Sequence, residues 1–335
     1  MIAVVFLGLA AAAIIMQFVV SPRIPGHLRY RGGYDAELAE PGEKITYTGG
    51  IVNTWFLPAV YVSAAVLLPE GAAIEGKDGN HESWRLSLMP HHSSRHTLFF
   101  TLPRRGVYSG GRLFLETGDF LGFRSRILSH QIGGSITVMP RKCREEKVLR
   151  TLGGYIGDIS VRRFILEDPV LTIGLRDYTG REPMKKISWP HSARAGRLMV
   201  KDSDYTVDTD VAVVLNMASG TDAEKEKSLE IVRTVCEQLE EQRIPYRFLS
   251  NGDIGSRRAG FGRTHVRALM TDLGRSELVS YTSFDALIDR CIRERKNNSS
   301  YILISPPLSA KNRASLGRLL QHSSLAPCVL EAEVG

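Results

Sequence analysis

Apolar residues change their spacing partway along this chain, and the change divides it into two kinds of structure. From Tyr34 to Pro140 they alternate in short runs broken by turns: Lys44 to Thr48, Val60 to Leu68, Trp84 to Met89, Thr97 to Leu102, Arg112 to Glu116 and Ser135 to Met139. A period of two puts one face of each run in a core and the other in water, which predicts an antiparallel β-sandwich. Pro41-Gly42-Glu43 fits a tight turn within it, because proline presets the first central torsion and glycine accepts positive φ. After Asp208 the apolar residues come in unbroken runs instead. Val211 to Leu215 has the pattern of a buried strand, and Leu229, Val232, Cys236 and Leu239 then recur at helical spacing. Further strands are predicted at Tyr246 to Leu249, Tyr301 to Ser305 and Cys328 to Glu331, with helices at Arg263 to Leu273, Phe284 to Lys296 and Lys311 to Leu320. Strands alternating with helices imply a mostly parallel sheet covered on both faces, a doubly wound α/β domain.

Ile2 to Val20 is apolar apart from Gln17 and small residues, and it reaches the roughly 17 to 25 residues that a bilayer-spanning helix needs. It is expected to anchor the chain in the cell membrane. No Lys or Arg precedes the run and no Ala-x-Ala site follows it, against a cleaved signal peptide. Arg23, Arg29 and Arg31 lie just beyond, so the positive-inside bias predicts a single-pass protein with its bulk in the cytoplasm. The domain plan is then an anchor at 1–20, a sandwich at 21–140 and an α/β domain at 141–335. The formal charge of +7 is compatible with contact to an anionic surface such as phospholipid, but so modest an excess over this length fits a neutral role better. Basic residues are not interleaved with aromatics in a nucleic-acid module, so no nucleic-acid partner is expected. Cys143, Cys236, Cys291 and Cys328 are widely spaced, as reduced and buried thiols would be.

Between the two patterned regions lies a polar, irregular segment. It contains Arg176 and Tyr178, then Arg181-Glu182-Pro183-Met184-Lys185-Lys186-Ile187-Ser188-Trp189, then Ser192-Ala193-Arg194 and Leu198-Met199-Val200-Lys201. This segment, at 175–201, resembles the signature of the family called domain of unknown function 58: Arg-x-Tyr, Gly-Asp-x-x-Arg-x-Ile-x-Trp, Ser-Ala-Arg and a Leu-x-Val-Lys strand. Arg181 stands where that family has Gly, Glu182 where it has Asp, and Lys185 where it has Arg. Upstream, Arg104-Arg105-Gly106-Val107-Tyr108 and Thr117-Gly118-Asp119-Phe120-Leu121-Gly122-Phe123 are similar to two further family elements. The resemblance implies a von Willebrand factor A-like α/β domain, preceded by an immunoglobulin-type antiparallel β-sandwich and a transmembrane helix. It also implies a MoxR-type AAA+ ATPase as partner.

In open α/β sheets ligands collect at the carboxyl ends of the strands, so the residues after Leu215 are the first place to look for a site. Asn216, Ala218 and Gly220 occupy the positions of a metal-ion-dependent adhesion loop, Asp-x-Ser-x-Ser. They supply neither its carboxylate nor its hydroxyls, so the loop reads as degenerate and no metal is expected. Asp222 or Asp253 could help from neighbouring loops, and Thr221 or Asp222 could cap the next helix. No nucleophile elbow, zinc-protease helix or phosphate loop is present. Gly260-Phe261-Gly262 suits a loop before a helix, and His91, His92 and His96 suit a hairpin loop among serines.

The signature offers Arg176, Tyr178, Glu182, Lys185, Trp189, Ser192 and Arg194. Its arginines could clamp Asp177 or Glu182 internally or face a partner. The expectation is a clamp, with Arg194 beside a core-packed Trp189, and partner contact at Asn216 to Asp222 and Asn251 to Asp253. The function expected is a membrane-anchored, non-enzymatic scaffold or adaptor without cofactors. The alternative is an envelope-related enzyme or a metal-dependent ligand-binding protein.

Overall fold

A computed structural model describes residues 2–119, 123–165, 167–179, 184–205, 210–295, 299–323 and 325–333. The chain divides into two compact units, Met1–Arg141 with Leu273–Arg275, and Lys142–Asp272 with Ser276–Gly335.

The first unit begins with helix α1 (Ile2–Ile15), continued by one π turn at Met16–Val20 and a 3-10 stretch at Ser21–His27. Pro22 and Pro25 cannot donate to a helical ladder, so regular α-helix does not extend past them. Within Val4–His27 an 18-residue window has a mean hydropathy of 2.4 and is 11% buried, so this helix is long and apolar enough to cross a membrane.

Among the described residues of this unit the strands are β1 (Leu28–Tyr34), β2 (Leu38–Ala39), β3 (Lys44–Asn53), β4 (Ala59–Leu67), β5 (Ala73–Ile74), β6 (His81–Leu88), β7 (Ser93–Thr101), β8 (Gly106–Tyr108), β9 (Arg112–Gly118), β10 (Ser125–Gln131) and β11 (Ile136–Val138). They form two four-stranded antiparallel sheets, β1-β3-β7-β5 and β10-β9-β4-β6, and a separate small sheet β2-β11-β8. Burial alternates along the central strands. Ile45, Tyr47, Ile51, Val62, Ala64, Val66, Phe100, Leu113 and Leu115 form one core, while their neighbours face outward. Gly42 makes the expected turn with φ of 81°.

The second unit holds α2 (Glu146–Ile165), β12 (Glu167–Asp177), α3 (Trp189–Ala195), β13 (Met199–Tyr205), β14 (Asp210–Leu215), α4 (Asp222–Glu241), β15 (Tyr246–Ser250), β16 (Arg257–Gly260), α5 (Arg263–Arg275), α6 (Phe284–Arg293), β17 (Ser299–Ser305), α7 (Ala310–Leu320) and β18 (Cys328–Glu331). Five of these strands form a sheet in the order β16-β15-β14-β17-β18, and β12 pairs with β13 in an antiparallel ribbon. In the larger sheet β15, β14, β17 and β18 run parallel, and β16 runs antiparallel at the edge. Ala212, Val214, Leu249, Tyr301 and Leu303 pack against Phe284, Leu287, Ile288 and Cys291 of α6 and Leu319 of α7. Helix α4 packs on β14 and β17 with Leu229, Val232, Val235, Cys236 and Leu239 fully buried. Burial on both faces is why these strands read as unbroken apolar runs.

The sequence-based fold class, a doubly wound, von Willebrand factor A-like α/β domain following a β-sandwich, is therefore corrected. Most described strands belong to antiparallel, sandwich-like sheets, and the C-terminal sheet is mixed. The reason lies in the connection from β15 to β16, residues 251–256, which is too short for a helical crossover and leaves an antiparallel return as the available pairing.

Helix α2 and strand β12 were not expected, whereas β13 takes in Met199-Val200-Lys201 of the Leu-x-Val-Lys strand that the resemblance implied. Helix α2 contains Gly153, Gly154 and Gly157, each unfavourable in a helix interior, and is held by Val148, Leu152, Tyr155, Ile156 and Ile159 on one buried stripe. The β12-β13 ribbon replaces the irregular connection expected over the first part of the signature.

Candidate functional site

Strands β14, β15 and β17 each hand over to a polar residue where the parallel sheet ends. These residues are Asn216, Asn251 and Ser305, exposed by 0%, 3% and 0%. Asn216 Nδ2 donates to Ser305 Oγ at 2.9 Å and to Ser219 Oγ at 3.4 Å, while its Oδ1 accepts from the Ala218 amide at 3.0 Å and from Asn251 Nδ2 at 2.9 Å. Asn251 Oδ1 accepts from the Met217 amide at 2.7 Å, and Ser305 Oγ donates to the Pro306 carbonyl at 2.7 Å. An amide supplies two donors and an acceptor oxygen with two lone pairs, so all four bonding positions of Asn216 are in use. A carboxylate there could not donate to either serine.

This arrangement also explains the altered metal loop. Ala218 and Gly220 are exposed and bring no side-chain oxygen, and Asn216 already uses both lone pairs. Asp253 is occupied too: its Oδ1 accepts from Ser276 Oγ at 2.7 Å and its Oδ2 from the Glu277 amide at 2.5 Å. Asp222 opens α4, which Thr221 caps through a reciprocal box with Glu224. Among the described residues no group of three His, Cys, Asp or Glu side chains could hold a metal. Adding magnesium, manganese or calcium should leave the melting temperature unchanged. An ion that binds only the native state at a hundred times its dissociation constant would add about 2.7 kcal/mol, which a thermal melt detects easily.

The Asp253 bonds brace a loop over residues 276–283. Lys225 Nζ donates to the Leu278 carbonyl at 3.1 Å, the Asp253 amide to the Val279 carbonyl at 3.1 Å, and the Tyr281 amide to the Asn251 carbonyl at 2.8 Å. Leu278 is held at φ of 62°, a left-handed conformation costly for a branched side chain and tolerable only under such restraint. The loop presents Tyr281, 73% exposed, and Val279, 43% exposed. Beside it opens a cleft of about 390 Å³ lined by Ser219, Ser280, Tyr281, Thr282, Ser283 and Lys311. Asp285 also borders the cleft, but Arg318 pairs with it at 3.2 Å.

The signature residues do not join this site. Arg176 on β12, Lys185 in a short 3-10 turn, and Arg194 near the end of α3 are exposed, and Tyr178 is half-buried. Glu182 lies outside the described residues. Ser192 is buried, and its Oγ accepts from the Met199 amide at 2.8 Å, tying α3 to β13. The expected core packing of Trp189 is corrected, because Trp189 is 58% exposed; Asp177 pairs with Arg197 at 3.0 Å, and a clamp through Glu182 falls outside the described residues. An isolated bridge between Ile187 and Val200 directs Ile187 inward, and the chain turns into α3 at Ser188, leaving Trp189 outside. Arg194 makes no hydrogen bond or ion pair with a described residue. Arg194→Ala should accordingly change unfolding free energy by no more than about 0.5 kcal/mol in a denaturant titration.

Of the other candidates, His96 lies within strand β7 rather than in a loop, stacked on Trp84 with ring centroids 3.9 Å apart. Gly262 precedes α5 with φ of 107°, and its amide donates to Glu240 Oε2 at 2.7 Å, which closes the Gly260-Phe261-Gly262 loop internally. All four cysteines are free and buried, and burial pushes the Cys328 thiol up to about 11 and the Cys291 thiol to about 12. Sequence reasoning missed Ser305 and the Ser280 to Ser283 wall of the cleft. A usable signal was present, since Ser305, like Asn216 and Asn251, is a polar residue at the end of an unbroken apolar strand.

No protein-family model matches the sequence, and no curated protein matches it. Among solved structures, the chain is similar to a CARDB domain from Pyrococcus furiosus crystallised with di-metal ions, at 13% identity over 33% of this chain and 94% of that one, with a TM-score of 0.23. It is similar to the major pilin subunit of Bacillus cereus at 10% identity, covering 34% of this chain and 41% of the pilin, with a TM-score of 0.26. A bacterial hydrophobin, BslA, is 13% identical over 35% of this chain and 98% of its own, with a TM-score of 0.23. Likenesses at these scores do not bear on function.

Proposed function

We propose that this chain is a membrane-anchored, non-enzymatic adaptor that binds a protein partner at the strand-end cleft of its C-terminal unit. The observation that carries the proposal is the braced loop: Tyr281, 73% exposed, stands on backbone held by Asp253, Asn251 and Lys225. An exposed aromatic on an already ordered loop loses little entropy when a partner covers it, and tyrosine is among the side chains that dominate interface energies. The chemistry around it is that of recognition. The cleft wall is hydroxyl-rich, its one carboxylate is paired with Arg318, and the network beneath has its bonding capacity occupied.

Residues 1–20 serve as the anchor in this reading, and Arg23, Arg29 and Arg31 favour a cytoplasmic bulk by the positive-inside bias. The resemblance of the 175–201 segment to the domain of unknown function 58 family supports a MoxR-type AAA+ ATPase as the partner. The test is co-purification of the full chain with that ATPase, comparing Tyr281→Ala and Ser280→Arg with the unaltered protein. Each variant should retain its melting temperature, and Tyr281→Ala should weaken association roughly 30-fold, the equivalent of a hot-spot loss of about 2 kcal/mol. Undiminished association of both variants would overturn the assignment of the cleft.

A further inference from the structure

The last turns of the apolar helix are tied to the sandwich unit. Gln17 is 6% exposed in an otherwise exposed helix, and its Nε2 donates to Asp119 Oδ2. Asp119, 8% exposed, accepts a second bond from the Phe123 amide at 2.7 Å, and its own amide donates to the Arg124 carbonyl at 2.9 Å. Between the helix end and strand β10 lies a pocket of about 200 Å³ whose walls include Phe18, Pro22, Pro25, Arg124 and Arg126. The carboxylate in its wall is engaged by two donors. The guanidinium groups of Arg124 and Arg126 are exposed and make no hydrogen bond or ion pair with a described residue. Arg23 is turned back onto the Val19 carbonyl.

We infer that this pocket holds the headgroup of an anionic phospholipid, an inference that rests on the helix being a membrane anchor. A helix that crosses a bilayer leaves the hydrocarbon where its apolar side chains give way to charge, here between Phe18, 64% exposed, and Arg23. That transition sets the pocket at headgroup depth. Phe123, 78% exposed, extends apolar contact at the same end of the unit. Two unpaired guanidinium forks match phosphate oxygens in geometry and charge. The volume is below the roughly 300 Å³ typical of a small-molecule pocket, so it suits a phosphate ester rather than a whole lipid, whose acyl chains would lie along the exposed helix.

The experiment uses the full chain in mild detergent, with bound lipid counted by native mass spectrometry during titration with phosphatidylglycerol or phosphatidylcholine. Phosphatidylglycerol should be retained in preference. Arg124→Gln with Arg126→Gln should weaken retention roughly 30-fold, from about 1 kcal/mol per basic residue at a membrane surface. The charge-preserving double change to lysine should keep most of it. Equal retention by the glutamine variant, or displacement of the lipid by excess inorganic phosphate, would overturn the inference, the second by identifying a free-anion site. Alkaline carbonate extraction of cell membranes separates the two readings. If the unaltered chain stays with the membrane, the anchor stands whatever the lipid result; if it is extracted, the anchor reading fails and the lipid site fails with it.

Discussion

Replacing Asn216 with alanine should lower the unfolding free energy by about 3 kcal/mol, the largest loss expected from any single change at the strand ends. The side chain is wholly buried and makes four hydrogen bonds, two of which join β14 to the ends of β15 and β17. Its removal leaves the Ala218 amide without its acceptor, Asn251 Nδ2 with only the Thr282 carbonyl, and Ser305 Oγ without its donor. Each buried group left unpaired costs about 1 to 3 kcal/mol, partly relieved where water can enter beside the cleft. Asn216→Asp is a sharper probe, because it keeps the acceptor oxygens but loses both donors and places a charge at a fully buried position. Burial raises a carboxyl pKa, so the folded variant binds its proton more readily than the unfolded chain does, and the variant should recover stability as pH falls. Ser219→Ala, which removes one long bond at the rim, should cost less than about 1 kcal/mol. Denaturant titrations of the three variants check the ranking, and a loss under about 1 kcal/mol for Asn216→Ala would show that the network is not what holds the strand ends together.

A second large effect is expected at the other end of the chain. Arginine at positions Leu9 and Ala12 together should make membrane insertion less favourable by on the order of 6 kcal/mol, taking about 3 kcal/mol for each charge near the centre of a spanning helix. The unaltered chain should remain in the pellet after alkaline carbonate extraction with its first residues intact by N-terminal sequencing. The doubly substituted chain should move to the soluble fraction. Loss of the first twenty residues from the mature protein would identify them as a cleaved leader instead, since a signal sequence passes the same test of length and hydropathy.

The physical reasons for what was legible in the sequence differ from residue to residue. Ile45, Tyr47 and Phe100 were visible as core because alternation at period two has few other causes. Val211 to Leu215 was visible as a doubly covered strand for the converse reason. The direction of β16 was not legible, because Arg257–Gly260 carries no apolar pattern and its antiparallel pairing follows from the shortness of the preceding loop. Helix α2 was obscured by its glycines, whose unfavourable helix propensity is overcome by tertiary burial of Leu152 and Ile159. Trp189 misled because large aromatics are usually buried, and only the Ile187–Val200 bridge decides which of the two hydrophobic residues turns inward. At the candidate site, Asn216 was noticed for the aspartate it does not supply. Its role as a crosslink between strands depends on Asn251 and Ser305, which are distant in sequence and meet only once the strands are in register.

The most direct test of the adaptor proposal places a photo-crosslinking amino acid at Tyr281 of the full-length protein in intact cells, with Arg194 on the signature helix substituted in the same way as an exposed control. Irradiation should join position 281, and not position 194, to the MoxR-type AAA+ ATPase, and Ser280→Arg should abolish the adduct without lowering the amount of protein in the membrane. An ATPase adduct at position 194 with none at 281 would contradict the cleft as the partner site, and the absence of an ATPase adduct at both positions would contradict the partner itself.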